Sequence, residues 1–167
     1  ISASGSIAMS IEIERKFLLK NDAWRLDAHG QPIAGVPFRQ GYLPAQNGIT
    51  VRVRLEGADA RLTIKGKTEG FSRQEFEYTI PLQDAPQMLD TLCEKPLIEK
   101  VRYCRSEQGY IWEIDEFGGD NKGLVVAEIE LDREDEQPPL PDWVGQEVSG
   151  DPRYFNSSLV KKPFKSW

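Results

Sequence analysis

Histidine and cysteine, the residues that most often bind transition metals or act as nucleophiles, are scarce in this chain, at one and two copies. His29 stands alone beside Gly30 in a turn, and a single histidine without a partner is a poor catalytic candidate. Cys93 and Cys104 lack metal-type spacing, and with no export signal they are expected to be reduced and buried. Long apolar runs are missing as well. No stretch approaches the roughly 18 residues that a membrane span needs, so no membrane partner is expected and the location read from the sequence is cytoplasmic. Nor is there an excess of positive charge: 21 Lys and Arg against 27 Asp and Glu give a formal charge of −6, which argues against a general nucleic-acid coat. Internal repeats and low-complexity tracts are absent.

Alternation is what the chain does have. In IEIERKFLL, Ile11 to Leu19, the charged residues Glu12, Glu14 and Lys16 fall on alternate positions, with Ile11, Ile13 and Phe17 in the other register. That is the period of a β-strand with one apolar face. Alone, it describes an ordinary wet strand. The same pattern then returns along the chain: Arg52 and Arg54 against Val51, Val53 and Leu55 in Thr50 to Glu56; Arg61, Thr63 and Lys65 against Leu62 and Ile64 in Arg61 to Lys67; Glu75 and Glu77 against Phe76 and Tyr78 in Arg73 to Ile80. It continues with Lys100 and Arg102 in Leu97 to Arg105, Glu113 and Asp115 in Tyr110 to Phe117, and Glu128, Glu130 and Asp132 in Leu124 to Asp132. Phe38 to Leu43 reads as a further strand and Trp143 to Val148 as a short last one.

Between the strands, Asn21 or Asp22 caps a short helix through Leu26, Asp84 to Leu92 has Ala85, Met88, Leu89 and Leu92 at helical spacing, and Tyr154 to Val160 reads as a terminal helix ending in Lys161 and Lys162. Gly118 to Gly123 composes a hairpin loop, and Arg133 to Pro141 an exposed connector. Residues 1–8, small and aperiodic with Met9 directly after them, read as a cloning remnant, so one domain is expected over residues 9–167.

So many mixed-charge faces exceed what solubility asks of separate strands. If the sheet closes into a barrel, one set of faces points inward, and apolar residues such as Phe17, Val53, Phe76 and Ile129 pack outward beneath helices. The lumen is then a charged, water-filled tunnel. Buried charges are tolerable when they are paired or hold ions, and a polyanion with a divalent cation satisfies both signs at once. Arginine's planar fork suits phosphate oxygens, and clustered carboxylates suit magnesium or manganese.

The ordered set Glu12-Ile-Glu14-Arg-Lys16, Arg52-x-Arg54, Lys65, Glu75-x-Glu77, Lys100-x-Arg102, Asp115 and Glu128-x-Glu130 resembles the CYTH superfamily, the triphosphate tunnel metalloenzymes. The resemblance runs from Met9 to about Lys162. It implies a mainly β (α+β) fold: an eight-stranded antiparallel β-barrel tunnel, a few short helices outside, and a C-terminal plug helix. It also implies metal dependence and substrates bearing a linear triphosphate. By position, Lys16, Arg52, Arg54, Lys65, Lys100 and Arg102 resemble the phosphate ligands, with Lys161 the nearest match to a basic residue supplied by the plug. Glu12, Glu14, Asp115, Glu128 and Glu130 resemble the metal-binding acids. Glu75 and Glu77 match as tunnel acids.

The short form with WEIDEF at Trp112 to Phe117 and GLVVAEIEL at Gly123 to Leu131 is similar to bacterial proteins that hydrolyse inorganic tripolyphosphate. The expected reaction yields pyrophosphate and phosphate, with one metal on the phosphate oxygens, a second held by Glu128, Glu130 and Glu12 positioning the attacking water, and Lys16, Glu128 and Glu130 among the catalytic residues. Tyr42, which could lie near Lys16, is a candidate general base whose phenolate that charge would favour; an aromatic packing role is the alternative. Three rival functions stay open at this point: a fourth-class adenylyl cyclase, a thiamine triphosphatase, and a non-catalytic polyphosphate-binding module. The tunnel alone does not separate them. An acidic outer surface is compatible with a monomer or a dimer.

Overall fold

A computed structural model describes residues 11–167, so the expected remnant at residues 1–8 and the start at Met9 lie outside the described residues. Nine strands are formed: β1 (Ile11–Leu19), β2 (Gly35–Leu43), β3 (Thr50–Glu56), β4 (Asp59–Lys65), β5 (Ser72–Thr79), β6 (Ile98–Glu107), β7 (Tyr110–Phe117), β8 (Val125–Glu130) and β9 (Val144–Glu147). Two helices, α1 (Asp84–Thr91) and α2 (Asn156–Lys161), accompany them. The expected helix after β1 is a single 3-10 turn, Ala23–Arg25, where the Asn21 side chain accepts from the Ala23 amide.

The strands pair antiparallel in the order β5-β4-β3-β2-β6-β7-β8-β1. Pairing of Ile11 to Ile13 with Ser72 to Gln74 then closes β1 onto β5 and completes an eight-stranded barrel. β9 lies outside it, paired to β1 at Phe17 and Leu19. Local chemistry explains several boundaries. Gln108 and Gly109, at φ +50° and +83°, make the two-residue left-handed turn that suits the twist of the β6–β7 hairpin. β2 begins before Pro37 because that residue's missing N–H lies on the β3 side, beyond the last β3 pair at Phe38–Glu56, while the β6 ladder continues.

The apolar faces do point outward, into two cores. Phe17, Trp24, Trp112, Ile114, Ile129 and Trp143 form one. In the other, Val53 and Ala60 pack under Ala85 and Leu89 of α1, with Met88 at its border. Phe76 departs from the expectation: it is 40% exposed, since no helix covers β5. Cys93 is buried and free as expected, whereas Cys104 is free but exposed near the end of β6.

At one end of the barrel the inward register itself turns apolar. Leu18, Ile98, Phe117 and Val126 continue the series that hold Lys16, Lys100, Asp115 and Glu128, and they pack against Tyr154, Leu159 and Val160. That patch seats α2 in the barrel end and makes it the plug. Among the described residues, no helix is long and apolar enough to cross a membrane.

Candidate active site

Inside the barrel the charged registers meet. Glu12, Glu14, Lys16, Arg52, Arg54, Lys65, Arg102 and Glu128 line one continuous cavity, which Tyr42 and Lys100 border toward the plug and Glu75, Glu77, Glu113 and Glu130 border at the opposite mouth. The alternation seen in the sequence is therefore a tunnel lining, with each strand presenting every second side chain to the lumen.

Acids gather on one side. Glu14 sits directly opposite Glu130 in the β1–β8 ladder, and oxygens of Glu12, Glu14 and Glu130 come within 4.8 Å of one another. Burial, reinforced by Glu128 and Glu12, pushes the Glu14 carboxyl up to about 7. Burial together with Glu113, Glu12 and Glu14 does the same to Glu130, also to about 7. Glu12 is raised too, by burial and by the neighbouring Glu75, although both its oxygens lie 2.9 Å from Lys65 Nζ. Acids this close and this hard to ionise lack positive charge, and three convergent carboxylates are the oxygen donor set that a hard divalent cation takes. The residues present fit such an ion.

Cations gather on the other side. Arg102 makes a two-pronged contact with Asp115, Nε–Oδ1 at 2.7 Å and Nη2–Oδ2 at 2.8 Å, and reaches Glu113 at 2.7 Å. Arg54 Nε donates to Gln40 at 2.8 Å, yet burial and the nearby Arg52 and Arg102 drag its guanidinium down to about 10. Arg52 donates to Thr63 Oγ1 at 3.2 Å while its buried Nε finds no partner among the described residues. Phe38 offers one ring face to Arg54, Arg102 and Lys100 at 4.8 to 5.9 Å. Although Arg54 Nη1 also reaches Glu56 at 3.0 Å, the orphaned Arg52 donor and the mutual repulsion that lowers Arg54 leave this band able to take a further anion.

Between the two sets stands Glu128, 3.4 Å from Lys16 and 3.8 Å from Arg102. Burial alone would raise it, but those two cations pull it down to about 2, so it stays ionised. Lys16 is buried as well; Glu128, Glu14 and Asp115 outweigh that cost and hold its ammonium above the ordinary lysine value. Its Nζ donates to the Tyr154 carbonyl at 3.1 Å, tying β1 to the plug.

Two expected residues sit apart from the rest. Asp115 lies outside the acid cluster: it is 1% exposed, and Lys100 and Arg102 occupy both of its oxygens. Lys100 and Arg102 accordingly keep its carboxyl far below the usual range against the opposing effect of burial. Lys161 lies on the exposed side of α2, away from the cavity, because the burial of Leu159 and Val160 fixes which face of the helix looks inward. Two residues went unnoticed in the sequence. Gln40 is fully buried and shares the inward register of Tyr42, a parity that could have flagged it. Asn156 has no local pattern; its place three residues before Leu159 on the buried helix face was the available signal.

A family model described as "CYTH domain" matches residues 10–162. The chain belongs to the CYTH family. Among CYTH relatives, a protein of Acetivibrio thermocellus named inorganic triphosphatase is 49% identical over 159 residues, 95% of this chain and 99% of that protein. Another of the same name, from Nitrosomonas europaea, is 36% identical over 153 residues, 89% of this chain and 96% of its own. A crystal structure of an inorganic triphosphatase superposes with a TM-score of 0.62 at 32% identity, covering 89% of this chain and 93% of that one. A putative adenylate cyclase from Bacillus halodurans, 17% identical with a TM-score of 0.59 over 75% of this chain and 84% of that one, shares the fold alone.

Proposed function

We propose that this CYTH protein hydrolyses inorganic tripolyphosphate to pyrophosphate and phosphate, using magnesium or manganese held in the tunnel. The observation that carries the proposal is the pairing, across one lumen, of an acid cluster short of positive charge with an arginine and lysine band short of negative charge. A triphosphate with a divalent cation supplies both. The names of the two CYTH relatives point to the same substrate.

In this reading Arg52, Arg54, Lys65, Lys100 and Arg102 take the non-bridging phosphate oxygens and absorb the charge that spreads over the transferred group. Glu12, Glu14 and Glu130 would hold the metal, which when bound would supply charge neutralisation and Lewis-acid polarisation of phosphoryl oxygens. Glu128, kept ionised, holds Lys16 and Arg102 at the reacting phosphoryl group. Asp115 fixes Lys100 and Arg102 from behind. Water forms the new P–O bond, the bridging P–O bond breaks, and pyrophosphate leaves with that bond's electrons and takes up the proton that water has lost.

Tyr42 lines the cavity, and its phenol oxygen accepts from Gln40 Nε2 at 3.3 Å. If it takes the proton from water, Tyr42→Phe loses turnover while metal affinity stays; near-normal turnover assigns it to packing. The function itself is tested with a panel of tripolyphosphate, ATP, thiamine triphosphate and longer polyphosphate, each with magnesium and with manganese. Phosphate and pyrophosphate from tripolyphosphate, at the highest kcat/KM of the panel, are expected. Cyclic AMP from ATP, preferred turnover of thiamine triphosphate, or tight tripolyphosphate binding with no phosphate released, would each replace the proposal by the corresponding rival.

A further inference from the structure

The plug does not send a charge into the tunnel. What it sends is the amide of Asn156, the first residue of α2, which lies on the same helix face as the buried Leu159 and Val160 and lines the cavity. Its Oδ1 accepts from Lys100 Nζ at 2.9 Å and from Gln40 Nε2 at 3.1 Å. Gln40 in turn accepts from Arg54 Nε at 2.8 Å. One neutral side chain on the plug thus touches a phosphate-band lysine directly and an arginine through a single glutamine.

The amide's orientation is forced by its partners. An ammonium only donates, so the Asn156 atom facing Lys100 has to be the oxygen. Arg54 fixes Gln40 in the same manner, since its guanidinium has no acceptor and the Gln40 oxygen must face it. The Asn156 NH2 group is then left with no acceptor among the described residues, on a side chain that lines the cavity.

Charge is the second half of the argument. Lys100 has one carboxylate contact, Asp115, which it shares with Arg102, and Arg102 reaches Glu113 at 2.7 Å and Glu128 at 3.8 Å besides. A neutral acceptor at position 156 gives the Lys100 ammonium, 4% exposed, a second hydrogen-bond partner without cancelling its charge. A carboxylate at that position would cancel it.

We propose that Asn156 is a substrate-positioning residue: it aims the Lys100 ammonium and the Gln40–Arg54 pair at a phosphoryl group, preserves their net charge, and offers its own NH2 to the same oxygens. This rests on the reading of the tunnel as a phosphate site.

A purely structural role makes a different forecast. In the first turn of a helix an added negative charge is favourable, and a carboxylate still accepts from Lys100 and Gln40 whereas Ala leaves both donors without that acceptor, so a structural residue would tolerate N156D and suffer from N156A. A positioning residue reverses that order. Steady-state kinetics on tripolyphosphate and calorimetric titration with pyrophosphate, each with magnesium, are measured for wild type, N156D and N156A alongside thermal melts. N156D is expected to melt within about 3 °C of wild type while KM rises about tenfold or more, kcat changes less, and pyrophosphate affinity falls in parallel. N156A should raise KM less, by about threefold. Wild-type KM and pyrophosphate affinity in N156D, or a larger defect in N156A than in N156D, overturns the proposal. If N156D melts far lower, N156A decides: wild-type KM and pyrophosphate affinity there also overturn it. Should wild type hydrolyse no tripolyphosphate, the functional reading fails, and the ranking of pyrophosphate affinities still decides the role of Asn156.

Discussion

Glu14 on β1 and Glu130 on β8 face each other directly across the antiparallel ladder, and Glu12 brings a third carboxylate within 4.8 Å. Like charges placed opposite one another on a sheet destabilise it, so the barrel tolerates this arrangement only by keeping protons on the acids or by binding a cation. The next inward-facing pair along the same ladder, Lys16 opposite Glu128, has opposite signs. One hairpin's width of sheet therefore holds both a conflict and its balanced counterpart, and the conflict is where binding energy can enter.

The conflict has a pH signature. Glu14 and Glu130 are pushed from an ordinary 4.5 to about 7 in the fold. Between those values the folded state holds more protons than the unfolded chain, so stability falls as pH rises through that window. Glu128, held at about 2, does not mask the trend, because its own contribution is complete above 4.5. In chelator, the melting temperature should drop between about pH 5 and pH 7.5, and magnesium or manganese should raise it more at the upper pH than at the lower. Equal metal-induced shifts at both pH values would refute the assignment of these acids to a cation.

Asp115 should matter for stability as much as for turnover. Its two oxygens receive Lys100 at 2.7 Å and Arg102 at 2.7 and 2.8 Å in a place that is 1% exposed. Asp115→Asn leaves the buried Lys100 without its carboxylate contact, strips Arg102 of its two-pronged partner while Glu113 stays at 2.7 Å, and turns an amide NH2 toward a donor. A loss of about 3–5 kcal/mol in urea unfolding is expected. Breaking the exposed Arg133–Asp135 pair by Arg133→Ala is the control and should leave the midpoint unchanged. A midpoint as stable in Asp115→Asn as in that control would show that Asp115 is not the anchor of the cation band.

The sequence made the strands legible because alternating charge is a local pattern, and it made the inside-out barrel legible because the charged sets repeat in register from Glu12 to Glu130. Cross-strand partners were not legible. Asp115 alternates with Glu113 as a metal-binding acid would, and only the β6–β7 register, which puts Arg102 directly opposite, shows that its charge is committed. Closure through Ile11 to Ile13 on β5 joins strands far apart in the chain, which no local pattern encodes. The plug was half visible. Leu18, Ile98, Phe117 and Val126 break the charged register at one end and mark where something apolar must dock, but the helix phase, set by Leu159 and Val160, decides that Asn156 and not Lys161 faces the lumen.

That phase makes a simple contrast. Lys161 is exposed, whereas Lys16 is 6% exposed and bound to both Glu128 and the Tyr154 carbonyl. Lys161→Ala should leave kcat and KM for tripolyphosphate within about twofold of wild type, as surface substitutions usually do. Lys16→Ala should lower kcat/KM by about 100-fold or more, the scale of losing a charged group aimed at developing charge. A large defect in Lys161→Ala would mean that α2 rotates or shifts when substrate binds.

Arg52 offers the sharpest separation of binding from folding. It is buried, its Nε has no partner among the described residues, its Nη2 reaches only Thr63 at 3.2 Å and Glu77 at 3.9 Å, and its charge helps drag Arg54 down to about 10. In the absence of an anion it is therefore more of a burden to the fold than a support. Arg52→Met keeps the bulk and removes the repulsion, so urea unfolding should show unchanged stability or a gain of about 1 kcal/mol. Calorimetry with tripolyphosphate should show affinity reduced about 10- to 100-fold, since a bidentate phosphate donor is gone. Stability lost with affinity intact would make Arg52 a structural residue of the β3–β4 hairpin. The expected pair of results, by contrast, would mean that this tunnel keeps its cations at the expense of its own stability because the ligand needs them.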